Sequence, residues 1–176
     1  MKGHVTMGFF SRLMGGSYKQ TTAASEFEIL APVSGELVHL ENTNDPAFSS
    51  RAVGDGVAVV PQEGTVCAPV SGTVAALFPT EHALGIMSDD SSAQVMLHIG
   101  IDTVKLEGKG FHALVAQGDH VDAGQPLVEV DFDAVRAAGF DPTVFVIVCE
   151  RSENSTLREH ASGPVAVKEP VVWLSE

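Results

Sequence analysis

Ala-Pro-Val-Ser-Gly occurs at residues 31–35 and again at 68–72, and each copy runs into a β-leaning stretch, GELVHL and GTVAALF. Proline offers a sheet ladder no N–H, and glycine admits positive φ. Each copy therefore reads as a turn that delivers the chain into a strand. Two copies are too few for a solenoid. They describe a β-domain duplicated on itself. The surrounding texture agrees. From Glu26 onwards, short apolar-alternating runs are cut by Gly, Pro, Asn and Asp, which places candidate strands at 27–30, 36–40, 56–60, 65–68, 72–78, 83–87, 94–100, 111–115, 126–130, 143–149, 164–167 and 171–174. Many short strands with turn signals between them predict an all-β, single-domain fold of sandwich or barrel-like type with few helices. One helical stretch stands out at 131–138, where Phe132 and Val135 are three apart and Gly139 is a stop.

The chain has 176 residues, enough for one domain with a proper core. We expect a flexible leader over 1–25 and the folded domain over 26–176. In the leader Phe9, Phe10, Leu13 and Met14 share a helical face, and Gly15-Gly16 stops the run. Such a segment is too short to be a stable helix in water, but residues 8–14 could make a weak membrane contact, with Arg12 reaching anionic head groups. Residues 15–25 read as a linker. Ten Lys and Arg against 23 Asp and Glu give a net charge of −13, which disfavours nucleic acid and favours basic partner surfaces. Cys67 and Cys149 are isolated in apolar surroundings, as expected of buried thiols in a reducing compartment. With no membrane-length apolar run and no convincing secretory signal, the expected location is cytoplasmic, peripheral at the inner face of the membrane if the leader binds it.

Phosphate-loop, dinucleotide, nucleophile-elbow and HExxH motifs are all missing. Of seven histidines, His4 lies in the leader, and His39, His112, His120 and His160 lie among charged or turn residues. His82 and His98 differ. Each sits in a run of small and apolar residues, His98 in the middle of VMLHIGIDTV. Burying an imidazole without a partner costs about 1–3 kcal/mol, so such a ring must be hydrogen-bonded or useful. Adjacent strands lie about 4.8 Å apart, and two histidines at this spacing could face each other across a hairpin. Such a pair suits phosphoryl transfer or, with further ligands, zinc.

The runs APVSGELV, VGDGVAVVP, APVSGTVAALFPTEHALGI, VMLHIGIDTVKLEGKGF and GDHVDAGQPLVEVD, in this order, resemble the glucose-family enzyme IIA component of the bacterial phosphoenolpyruvate:sugar phosphotransferase system. The resemblance implies a phosphocarrier, a phosphotransferase component. It would take a phosphoryl group from the histidine phosphocarrier HPr on His98 and pass it to a cysteine in the IIB domain of a membrane sugar permease. It also implies that His82 steadies the phosphoryl group, that Thr80 orients His82, and that Asp102 lies beside the site. Phe48, Val53, Phe78 and Met96 would form an apolar docking face. Met96 and Leu84 depart from the family, where phenylalanine is common at both positions. Neither Cys67 nor Cys149 sits in an N-C-x-T-R context, so the IIB cysteine is expected on another polypeptide. No cofactor is required by this reading; the one metal it admits is zinc bridging His82 and His98 in a partner complex. Two rivals stand beside it. One is a regulatory binding protein whose phosphorylation state controls partner enzymes or permeases. The other is a zinc hydrolase of related fold, whose H-x-H pair this sequence lacks.

Overall fold

The computed structural model describes residues 26–176 apart from Glu63. The expectations for the leader, its amphipathic segment and its linker lie outside the described residues. In the first half of the chain the strands are β1 (Phe27–Leu30), β2 (Gly35–His39), β3 (Asp55–Pro61), β4 (Thr65–Cys67), β5 (Gly72–Leu77), β6 (Ala83–Ser88) and β7 (Ala93–Ile99). The second half contributes β8 (Phe111–Ala113), β9 (His120–Val121), β10 (Pro126–Val130), β11 (Val144–Arg151), β12 (Thr156–Glu159), β13 (Gly163–Val165) and β14 (Pro170–Ser175). Two short α-helices, α1 (Pro46–Ser49) and α2 (Phe132–Ala137), accompany them. The expected helix is α2, and the Asp131 carboxylate caps it by accepting from the Ala134 N–H at 2.9 Å.

An eight-stranded antiparallel sheet runs β13-β2-β3-β11-β7-β6-β5-β9, and two three-stranded sheets run β1-β14-β12 and β4-β10-β8. The main core draws on all three, from Ile29, Val172 and Leu174, through Leu37, Val57, Val95 and Leu97, to Val66, Val128 and Phe111. This is a β-sandwich. Its second face carries a smaller cluster of Leu40, Phe48, Ala58, Phe145 and Ile147, with Met96, Ile101 and Cys149 packed against it.

The repeated pentapeptide marks a duplication that the strand order makes visible. Gly35 opens β2 opposite Pro61 and Val165, while Gly72 opens β5 opposite Ser88 and Val121. At both glycines the neighbouring strand comes close. A Cβ at Gly35 would sit 1.9 Å from the Val60 carbonyl oxygen, and one at Gly72 would sit 2.1 Å from that of Met87. Only glycine fits, which is why both copies end on it. The two copies also clasp each other, since the Leu30 N–H donates to the Pro69 carbonyl and the Cys67 N–H to the Pro32 carbonyl. Pro126 and Pro170 open β10 and β14 in the same way, so Ala113, opposite Val128, matches Glu159, opposite Val172.

The central strands β7 and β11 lie either side of the relation. Val95 stands opposite Ile86 in β6, and Val144 stands opposite Val59 in β3. Three residues further along each strand come His98 and Ile147. The scaffold is doubled, and the imidazole chemistry sits in one half.

Candidate functional site

Strand β7 alternates strictly. Ala93, Val95, Leu97 and Ile99 are buried in the main core, while Gln94, Met96 and His98 face the other way and are partly exposed. A period of two puts an imidazole on the outer face of a central strand without burdening the core. His82 ends the β5–β6 loop. Its carbonyl accepts the Ile99 N–H at 2.7 Å, and the next residue, Ala83, lies opposite His98. Backbone pairing therefore sets the two rings edge to face, with centroids 5.0 Å apart and planes at 87°.

Both ring environments favour the neutral form. His82 is only 4% exposed, and its Nδ1 is hydrogen-bonded with Thr80 Oγ1 at 2.6 Å. Burial, helped by the neighbouring His98, pushes its pKa down to about 4. Burial also lowers His98, against the opposing pull of the Gly100 backbone and of the Asp45 and Asp102 carboxylates. His98 Nδ1 is shut off from solvent and makes no well-formed hydrogen bond; the Gly100 backbone is its polar neighbour. In both rings this leaves Nε2 as the nitrogen open to the outside.

The depressed pKa values carry a stability consequence. Unfolded histidine binds its proton near its ordinary pKa of about 6.5, while folded His82 resists until about 4. Above the ordinary value both states are neutral and no penalty applies. As pH falls through the window below it, the unfolded chain gains protons first and stability is lost. We expect the urea midpoint of the His82→Gln chain to fall less between about pH 7 and about pH 5 than that of the parent. Equal slopes would show that the burial of His82 is not felt.

Around the pair lies a mostly apolar frame. Phe48 packs 5.1 Å from His98 and stacks on Phe145 at 4.4 Å, while Phe145 stands directly opposite His98 in β11. Phe78 meets His82 edge-on at 5.6 Å. Of the four expected docking residues, Phe78 and Val53 are exposed, at 47% and 39%, and Met96 is half-buried beside His98. Phe48 differs from its expected place. At 5% exposure it is the backing of His98 and offers a partner almost no surface. Leu84 lies wholly in the main core, so its departure from the family is a packing change.

After β7 the chain turns sharply at Gly100, with φ +80°. The Gly100 N–H donates to the Thr143 carbonyl and the Ile101 N–H to the Asp141 carbonyl, while Thr103 Oγ1 donates back to the Ile99 carbonyl. Asp102 follows with φ 60°, exposed and 3.4 Å from Lys105 Nζ. Sequence reasoning missed Asp45, Phe145 and Asp141. Asp45 had a readable signal, since Asp45-Pro46 is an N-cap followed by proline at the first helical position, and its carboxylate accepts from the Ala47 N–H at 2.9 Å. Phe145 and Asp141 had none, because their contacts depend on which strand lies beside β7.

No helix among the described residues is long and apolar enough to cross a membrane. Comparison with known proteins matches residues 27–154 to the family model for the phosphoenolpyruvate-dependent sugar phosphotransferase system, EIIA 1. A glucose-specific EIICBA component of this system from Streptococcus pneumoniae is 42% identical over 144 residues, covering 82% of this chain and 20% of that protein. A beta-glucoside-specific EIIBCA component from Bacillus subtilis is 39% identical over 170 residues, covering 96% of this chain and 28% of that protein. The chain thus spans between a fifth and under a third of the length of these relatives. Among solved structures, the glucose permease IIA of Mycoplasma capricolum superimposes with a TM-score of 0.78 at 34% identity, covering 85% of this chain and 96% of that one. A duplicated β-sandwich with one histidine on β7 and a second beside it at the end of the loop before β6, matched over most of its length by that model, belongs to the EIIA 1 family of the sugar phosphotransferase system.

Proposed function

We propose that this domain is a phosphoryl relay in which His98 Nε2 is the acceptor. The observation that supports it most is the pairing of two rings that are neutral at physiological pH, with both Nδ1 atoms turned inward and both Nε2 atoms facing outward at one spot. The neutral His98 carries its proton on Nδ1, toward the Gly100 backbone, which leaves a lone pair on Nε2. That lone pair attacks the phosphorus of a phosphohistidine on HPr. The new P–N bond forms as the donor's P–N bond breaks, and the bonding electrons leave with the donor imidazole. His82 takes the opposite tautomer. Its Nδ1 accepts the Thr80 hydroxyl proton, so Nε2–H is free to donate to a phosphoryl oxygen. Fixed donors and in-line alignment are what such a transfer needs. The apolar frame of Phe48, Phe78 and Met96 keeps water from the P–N bond.

The second transfer, by the same reading, goes to a thiolate of a IIB domain. The IIB and IIC parts named in the relatives make a sugar permease the natural destination, with the domain working at the cytoplasmic face. Relatives named for glucose and for beta-glucosides are about equally similar, so the sugar is left to the IIC part. The carboxylates of Asp45 and Asp102 flank His98 and suit a basic docking surface on the donor. The outward Nε2 atoms could also supply two of zinc's four ligands. Among the described residues no group of three metal-binding side chains stands together, so the remaining ligands would come from a partner or water.

The test is incubation with phosphoenolpyruvate, enzyme I and HPr, followed by intact mass and peptide mapping. One acid-labile phosphoryl group on the peptide containing His98 is expected. No uptake, or a group on any other residue, overturns the relay.

A further inference from the structure

Glu81 stands between Thr80 and His82 with φ 58°, a left-handed conformation that is uncommon for a residue with a Cβ. The β5–β6 loop that contains it is closed by two backbone bonds, from the Glu81 N–H to the Phe78 carbonyl and from the Phe78 N–H to the Ala83 carbonyl. Those bonds are internal to the loop. Against the rest of the molecule the loop is held at its end by the His82 carbonyl, which accepts the Ile99 N–H, and at its middle by the Glu81 side chain. Its Oε2 accepts the Ala113 N–H at 2.8 Å, and Ala113 belongs to β8, the free edge of the sheet β4-β10-β8. An edge-strand N–H needs a partner, and a carboxylate is a strong one.

The other half of the duplicated fold makes a comparable tie. Arg51, also left-handed at φ 58°, donates to Glu159 Oε1 at 2.7 Å, and Glu159 is the residue of β12 that matches Ala113 of β8. That second loop carries Phe48, the ring against His98. In both halves, then, a left-handed loop residue is fastened by its side chain to the edge of a small sheet, and each fastened loop supplies one neighbour of the phosphoryl-accepting imidazole.

We propose that Glu81 is a positioning residue. Its clamp on Ala113 holds the Thr80–His82 hydrogen bond and aims His82 Nε2 at the group carried by His98. The proposal rests on the relay reading, and the experiment separates the two. Ring-nitrogen resonances of His82 are recorded on the unphosphorylated protein, and transfer in and out is timed separately. Glu81→Gln keeps an acceptor oxygen at the same reach and should match the parent in both measurements. In Glu81→Ala the His82 resonances should move towards those of a ring exchanging between tautomers. Transfer onward to a IIB thiolate should slow about tenfold, with uptake from phospho-HPr within about twofold of the parent. Glu81→Gly also lacks the clamp but suits positive φ, so it should be folded and show the same shift and slowing even if the alanine chain is unstable. Unchanged His82 resonances in both clampless variants overturn the proposal, as does a Glu81→Gln chain that behaves like Glu81→Ala. A parent protein that takes up no phosphoryl group overturns the relay, and the ring resonances still decide whether the clamp sets the tautomer.

Discussion

The His98→Gln chain is expected to take up no phosphoryl group from phospho-HPr, whereas the His82→Gln chain is expected to take it up and then fail to pass it on. The difference follows from where charge builds up in each step. Uptake sets a neutral imidazole lone pair against the phosphorus, and glutamine, whose amide nitrogen is delocalised, has no such lone pair to offer. Delivery to a IIB cysteine sets an anionic thiolate against an already anionic phosphoryl group. A fixed N–H aimed at the phosphoryl oxygens therefore matters more on the way out than on the way in. Removing one such donor costs on the order of a hundredfold in rate. The His82 ring is suited to the task because burial keeps it neutral, with its proton free to sit on Nε2 opposite the Thr80 hydroxyl. Single-turnover transfer, timed separately in each direction, checks the pair. Equal losses in both directions for His82→Gln would mean that the second ring only shapes the pocket.

Much of this arrangement was legible in the chain because it is local. The alternation in β7 told which residues face the core, and the echoed Ala-Pro-Val-Ser-Gly told that the β-domain is doubled. The strands that escaped are β9, two residues inside a turn-rich stretch, and β12, whose Thr-Leu-Arg-Glu is a half-exposed edge with one apolar residue. Helix α1 escaped because four residues have no period; only its cap and proline mark it. At the end of β2 the apolar Leu40 looked like more strand, yet it begins a 3-10 turn, Leu40–Asn42, and is buried in the second cluster. At the site, spacing could bring His82 and His98 side by side but could give them no role; the family resemblance supplied one, as an expectation. What neither supplied was the third dimension of the second face. Phe145 reaches His98 only because β11 pairs with β7, and Phe48 is buried only because its loop folds back over that pair.

Gly100→Ala should damage both folding and uptake, and a second substitution should separate the two. A methyl group at position 100 would lie 2.3 Å from Thr103 Cγ2 and 3.0 Å from the Asp141 carbonyl oxygen. Those neighbours cannot give way freely, since Thr103 is wholly buried and its hydroxyl is bonded to the Ile99 carbonyl. Overpacking of this kind costs about 1–3 kcal/mol, and a left-handed φ on a residue with a Cβ adds roughly 1–2. A loss of about 3 kcal/mol should lower the melting temperature by roughly 10 °C in a domain of this size. Relief of that clash is expected to disturb the Gly100 backbone beside His98, so uptake should slow even in the fraction that remains folded. Thr103→Ser removes the methyl that clashes and keeps the hydroxyl that bonds Ile99. The Gly100→Ala/Thr103→Ser chain should therefore regain the overpacking part and keep the left-handed penalty. In a double-mutant cycle that appears as a favourable coupling of about 1–2 kcal/mol. If uptake recovers along with stability, steric pressure from Thr103 was displacing the acceptor ring. If stability recovers and uptake does not, the conformation of residue 100 itself sets the carbonyl behind His98, and the acceptor's tautomer is fixed by one glycine.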